Sequence, residues 1–198
     1  MQLFWDERFS GEAYIYGETP NEFFKSTLQN LPAGKLLLPG EGEGRNAVWA
    51  ATAGWEVVAV DYSSSGKAKA LKLAQKNQVH LDYRIEDLSV LKFPEKSFDV
   101  IALIFVHLPV GVRKQVHQEL VRMLKPNGLV IMEAFHKDQL QYNSGGPKNA
   151  EMNYDSAMIK SDFDTLQIKQ LTELHANLNE GKWHYGKAAL VRFIGQKI

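Results

Sequence analysis

The chain has no cysteine, which excludes disulfides, thiolate metal sites and thiol catalysis. It has no excess of either charge: Lys+Arg and Asp+Glu both number 23 in 198 residues. A nucleic-acid binder usually carries a basic surplus, so none is expected as a partner. No apolar run approaches the roughly 18 residues that a membrane span needs, so no membrane partner is expected. The start, Met1 to Arg8, lacks a basic stretch followed by an apolar one and does not read as a secretory leader. Cytoplasm is the expected location. Neither His-x-x-x-His nor a cluster of carboxylates marks a metal site, and none is expected.

What is present is an alternation of helical and extended patterns. Pro20 and Pro32 bracket a helix over Asn21 to Leu31. Lys35 to Leu38 is a short apolar strand, and Arg45 to Thr52 a helix closed by Ala53-Gly54. Glu56 to Val60 is rich in β-branched residues and predicts a strand. Ser64 to Lys76 has helical spacing, and His80 to Ile85 is a weaker strand. Phe98 to Phe105 predicts a buried strand, and Val112 to Leu124 an amphipathic helix stopped by Pro126-Asn127-Gly128. Leu129 to Phe135 is a further strand. Such alternation implies a parallel sheet covered on both faces. The last two strands, Ile168 to Asn177 and Lys187 to Ile194, are joined by the glycine-containing loop Leu178 to Gly186, so a hairpin closes the sheet. The stretch from Lys137 to Ala157 is a long polar loop, a length that often marks function.

The chemistry concentrates on Leu36 to Ala47, which reads strand, glycine turn, helix. Gly40, Gly42 and Gly44 allow positive φ and close approach of a ligand. The helix start at Arg45 offers free N–H groups to an anion. The next strand leads to Asp61, 21 residues after Gly40, about the spacing at which a carboxylate holds a nucleoside ribose. A dinucleotide loop wants Gly-x-Gly-x-x-Gly, and Arg45 stands at the third glycine's position. A phosphate loop would continue with Gly-Lys-Ser/Thr, which is missing.

Leu37-Leu38-Pro39-Gly40-Glu41-Gly42-Glu43-Gly44-Arg45-Asn46-Ala47 resembles the first motif of class I S-adenosyl-L-methionine (SAM) dependent methyltransferases. Its Gly44-Arg45-Asn46 continuation is similar to the tellurite-resistance-type, thiopurine-like branch. Val60-Asp61-Tyr62-Ser63, Glu86-Asp87-Leu88, Phe98 to Leu108 and Leu124-Lys125-Pro126-Asn127-Gly128 resemble later motifs in order. The resemblance is good over residues 33–135 and looser elsewhere. It implies an α/β Rossmann-like seven-stranded sheet, mostly parallel with an antiparallel C-terminal strand and helices on both faces. It also implies one domain over 1–198: an N-terminal lid and helix in 1–32, a cofactor-binding core in 33–135, and a substrate-side loop and hairpin in 136–198.

Carried over residue by residue, the resemblance places Gly40, Glu41, Gly42, Gly44, Arg45, Asn46, Asp61, Tyr62, Ser63, Asp87, Leu88 and Phe105 around SAM. Arg45 would pair with its carboxylate, Asp61 hold the ribose, and Tyr62 pack on adenine. Asp87 would accept from the adenine amino group, and Phe105 sit beside the sulfonium. The family usually has an acid where this chain has Leu38-Pro39; the expectation is either that Glu41 or Glu43 compensates or that SAM affinity is reduced. The activity implied is in-line methyl transfer to a small-molecule acceptor by a monomer or homodimer. Catalytic candidates are His107 after the fourth strand, His184 in Gly181-Lys182-Trp183-His184-Tyr185-Gly186, and Tyr16 in an aromatic segment, Trp5 to Asn21, able to serve as a lid. The loop that leaves Phe135 also lies on the ligand side. A non-catalytic SAM or nucleoside binder and an NAD-type oxidoreductase stand as alternatives.

Overall fold

The computed structural model describes residues 2–198, so Met1 of the N-terminal segment lies outside the described residues. A seven-stranded sheet forms the middle layer, in the order β3-β2-β1-β4-β5-β7-β6. Its strands are β1 (Lys35–Pro39), β2 (Glu56–Asp61), β3 (Asp82–Ile85), β4 (Phe98–Ile104), β5 (Leu124–Phe135), β6 (Leu166–Asn179) and β7 (Tyr185–Lys197). The helices are α1 (Gln2–Phe9), α2 (Glu22–Leu28), α3 (Arg45–Thr52), α4 (Ser64–Lys76), α5 (Val110–Met123) and α6 (Ser156–Asp162).

β1 pairs in parallel with β2 and β4, and β4 pairs in parallel with β5. β7 runs antiparallel between β5 and β6, as the hairpin pattern predicts. Successive side chains of β1 alternate faces. Leu37 joins Val58, Ile101 and the α5–α6 side chains Val116, Leu120, Ile159 and Phe163 in one core layer. Leu36 and Leu38 join Val57, Ala59 and the α2–α4 side chains Phe24, Leu28, Ala50 and Leu73 in the other. Helices therefore cover both faces, with α5 and α6 opposite α2, α3 and α4. The chain order reverses between β1 and β4, which makes the carboxyl ends of those strands the crevice where α/β sheets bind ligands.

Two expectations need correcting. The α5 helix ends at Met123, before Pro126-Asn127-Gly128, and the chain is already extended at Leu124. Pro126 disfavours helical backbone at Lys125, so Lys125 to Gly128 join β5 as a bulge that shifts its register against β4, with Asn127 at φ 63°. The polar loop after β5 is also more ordered than its composition suggests. It holds two short 3₁₀ turns, Lys137–Gln141 and Ala150–Met152, and runs into α6. Buried Gln139 pins it, donating to Ser144 Oγ and Gly145 O and accepting from Ala189 N.

Candidate active site

The glycine loop follows β1 into the crevice. Gly44 has φ 89°, and a Cβ there would stand 2.5 Å from the Ala70 methyl of α4. Only glycine lets α3 and α4 pack this closely. The Glu41 carboxylate turns back onto α3 and accepts from Ala47 N at 2.7 Å. It takes the place of a side-chain cap that Gly44 cannot supply. Burial pushes Glu41 up to about 7, against the pull of Ala47, Arg45 and Asn46. A dinucleotide would set its pyrophosphate at this helix terminus, where Glu41 already sits.

Glu43 is also committed. It pairs with Lys69 and accepts from the backbone N–H of Ile15 and Tyr16. Both acids that could stand in for the one missing at Leu38-Pro39 are thus engaged within the fold. Asn46 is buried and accepts from Asn21 N at 2.9 Å, so it anchors the start of α2. Ser63 caps α4 by accepting from Gly66 N, while its hydroxyl donates to Asp6.

Arg45 behaves differently. It is 6% exposed. Its Nη2 donates to Glu180 Oε2 at 2.7 Å, while its Nη1 is buried with no partner. A buried unpaired guanidinium donor costs free energy unless something accepts from it. Asp61 ends β2 and accepts from Gly42 N and Ser63 N, both at 2.9 Å. Those bonds fix both carboxylate oxygens at the crevice and leave each a further lone pair. Burial raises its pKa from the ordinary aspartate value, partly offset by those backbone donors. Beyond it, burial and then the nearby Asp87 raise the pKa of the Tyr62 hydroxyl, and Asp87 Oδ1 accepts from Ser89 N and Oγ. The Leu88 side chain joins the core, which leaves only its backbone for a ligand.

An aromatic box lies at the other end of the loop. Phe105 leaves β4 at φ 55°, a strained position for a bulky residue. That turn brings its ring within 4.8 Å of Phe135 and 4.3 Å of His184. Tyr16 covers His184 at 4.4 Å. Gly145 and Gly146 close the box from the loop after β5; a Cβ on either would stand 2.8 Å or less from the Trp183 backbone or the Phe135 ring. His184 is 5% exposed and its Nδ1 has no partner. Burial, then the charges of Arg45 and Arg8, drive its pKa well down, so the ring is neutral. His107 is neutral too, pushed to about 4 by burial. Its Nδ1 donates to Met152 O at 2.8 Å and its Nε2 faces Phe135 N at 3.4 Å. His107 therefore braces the wall behind Phe135 and keeps neither nitrogen free.

The segment before α2 covers the site. Asp6 on α1 accepts from Ser63 Oγ, Ser64 Oγ and Ser65 N at the start of α4. Phe9 lies over the loop, 3.1 Å from where a Gly42 Cβ would stand. Arg8 donates to the Tyr16 hydroxyl and lies over the Trp183 ring. Neither α1 nor these contacts shows in the sequence pattern, because the helix has no clean apolar face. Glu180 is the other residue that pattern reading misses. It lies 135 positions from Arg45, and nothing local marks it.

This donor set fits a zwitterionic nucleoside ligand. Arg45 offers an unpaired cationic donor, Asp61 offers acceptors for ribose hydroxyls, and the uncharged box suits a cation such as a sulfonium. Asp87 and Tyr62 stand where the far end of such a ligand would reach.

Residues 37–132 match the family described as methyltransferase domain. The ubiquinone biosynthesis O-methyltransferase of Rickettsia prowazekii is 28% identical over 82% of this chain and 70% of its own. A probable thiol methyltransferase 2 of Arabidopsis thaliana is 29% identical over 70% of this chain and 62% of its own. The crystal structure of TehB from Haemophilus influenzae superposes with a TM-score of 0.75 at 14% identity, over the whole chain and 67% of TehB; that likeness shows the fold.

Proposed function

We propose that this chain, whose residues 37–132 match a methyltransferase domain, transfers the SAM methyl group to a small acceptor bearing an ionisable O–H or S–H. The observation that carries this reading is the spacing of functions along one crevice: Asp61, then the glycine loop and Arg45, then the neutral box of Tyr16, Phe105, Phe135 and His184. SAM supplies a methyl group on a charged sulfur that leaves as a neutral thioether. The residues have four tasks. Arg45 binds the carboxylate through its free Nη1. Asp61 binds the ribose, with Tyr62, Asp87 and the Leu88 backbone N–H at the adenine end. The box excludes water and lines up the acceptor. Gln2 to Asn21 acts as the lid that must open for exchange.

The relatives that methylate oxygen or sulfur by their names support an O–H or S–H acceptor. Placement in the tellurite-resistance-type branch rests on Gly44-Arg45-Asn46. Balanced charge supports a small molecule over nucleic acid, and no described helix is long and apolar enough to cross a membrane. A cytoplasmic enzyme, monomeric or homodimeric, is the reading that fits.

The test is calorimetry with S-adenosylhomocysteine, followed by turnover of SAM against small thiols and phenols. Binding that Asp61→Ala weakens at least tenfold, with turnover of some acceptor, is the expected result. Absence of binding by the unaltered chain would refute the reading.

A further inference from the structure

Glu180 sits at the tip of the β6–β7 hairpin between two candidate partners. Its Oε2 accepts from Arg45 Nη2 at 2.7 Å. The same oxygen lies 4.0 Å from His184 Nδ1, too far for a hydrogen bond. Its other oxygen accepts from Asn21 Nδ2 at 2.9 Å, which fixes the carboxylate between the two. His184 Nδ1 is buried and unpartnered. Among the described residues, its Nε2 makes no hydrogen bond with the protein. So one carboxylate faces a cation that holds it and a neutral imidazole that lacks it.

We propose that Glu180 is the positioning carboxylate of a Glu180–His184 base, held on Arg45 until a ligand carboxylate, met first by the free Nη1, draws the whole guanidinium away. This rests on the SAM reading above. With Glu180 closed onto Nδ1, the proton of the imidazole is fixed there and Nε2 becomes the free acceptor. The acceptor X–H proton then passes to Nε2. The electron pair left on X forms the X–CH₃ bond, and the methyl–sulfur bond breaks with its pair remaining on sulfur. The imidazolium so formed is stabilised by Glu180 through Nδ1–H. The groups facing His184 set the balance. Arg45 and Arg8 oppose its protonation, Glu180 favours it, and Tyr16, Phe105, Phe135 and the neutral His107 face it without charge. Coupling the base to the ligand's carboxylate keeps the imidazole weakly basic in the empty site.

The experiment follows the His184 imidazole by NMR in the full chain, its signals identified by their loss in His184→Gln. S-adenosylhomocysteine carries the amino-acid end; 5′-methylthioadenosine carries the nucleoside without it. S-adenosylhomocysteine is expected to raise the His184 pKa by about one unit and fix the Nδ1–H tautomer. Methylthioadenosine does neither. Glu180→Gln binds S-adenosylhomocysteine by calorimetry but shows neither change. A shift that survives in Glu180→Gln, or an unmoved imidazole in the loaded unaltered chain, overturns the proposal while leaving the SAM reading intact. Failure of S-adenosylhomocysteine to bind at all removes both. If Glu180→Gln does not fold, a crystal structure of the unaltered chain with S-adenosylhomocysteine decides. Glu180 Oε2 is expected at about 3 Å from His184 Nδ1; separation unchanged from 4.0 Å overturns the proposal.

Discussion

At the scale of single residues, Glu41 shows how the glycine loop is held and what that costs. Its carboxyl is raised to about 7 from an unfolded value near 4.5. A raised acid contributes stability below its unfolded pKa and loses that contribution as pH rises through the folded one. Glu41→Gln keeps an acceptor for Ala47 N and cannot ionise. Its stability relative to the unaltered chain, measured by urea unfolding, is expected to rise by at most ~3 kcal/mol between pH 4.5 and 8. A constant difference across that range would contradict the assignment. Asp61 was legible from its spacing after Gly40, and Arg45 through the resemblance of Gly44-Arg45-Asn46, because both candidates lie within one βαβ unit. Glu180, Phe9 and Asp6 were not, since each meets the loop from a distant part of the chain. The partners of Glu43 were hidden for the same reason: Lys69 and the Ile15 and Tyr16 backbone stand elsewhere in the chain.

Among the elements, α3 and α4 begin and end where the sequence places them. Gly44 and Ser63 stop the chain from being helical one residue earlier, and both signals are local. The close packing of these two helices predicts a large penalty for Gly44→Ala, where a Cβ would stand 2.8 Å from the Ala70 Cα. Positive φ and overpacking together cost on the order of 3 kcal/mol, measurable as a lowered urea midpoint. The α1 helix is fastened by Asp6 at the start of α4. Those bonds hold the Asp6 carboxyl below its usual pKa, first through Ser63 and then Ser65. The attachment is therefore present at neutral pH and lost as pH falls through that lowered value. Asp6→Ala is expected to speed amide hydrogen exchange in Gln2 to Phe9 and the association rate of S-adenosylhomocysteine, leaving β4 and β5 protected. Equal exchange in both proteins would show that α1 is held by something else.

For the whole molecule, a ligand that bridges Asp61 and Arg45 ties both halves of the crevice together. S-adenosylhomocysteine at a hundred times its Kd is expected to stabilise the chain by about 2.7 kcal/mol, read as a raised Tm. Asp61→Ala should remove most of that gain at the same concentration. The parallel layers and the closing hairpin were readable because period and β-branched runs report burial directly. The closure of the crevice was not, since it depends on partners that only the finished fold brings together.

Asn21 makes the consequence of that closure concrete. It is 1% exposed, and its side chain donates to Glu133, 112 positions on, and to Glu180, 159 positions on. During synthesis from the N-terminus, this amide leaves the ribosome long before either carboxylate exists. The early βαβ units can pack while the chain is still growing. The crevice cannot, because its cap, its cation and its box all wait for the last hairpin. A ribosome-stalled chain that stops short of Glu180 should therefore hold a largely formed sheet with an unfinished site, and the nascent protein acquires its chemistry only as the hairpin emerges.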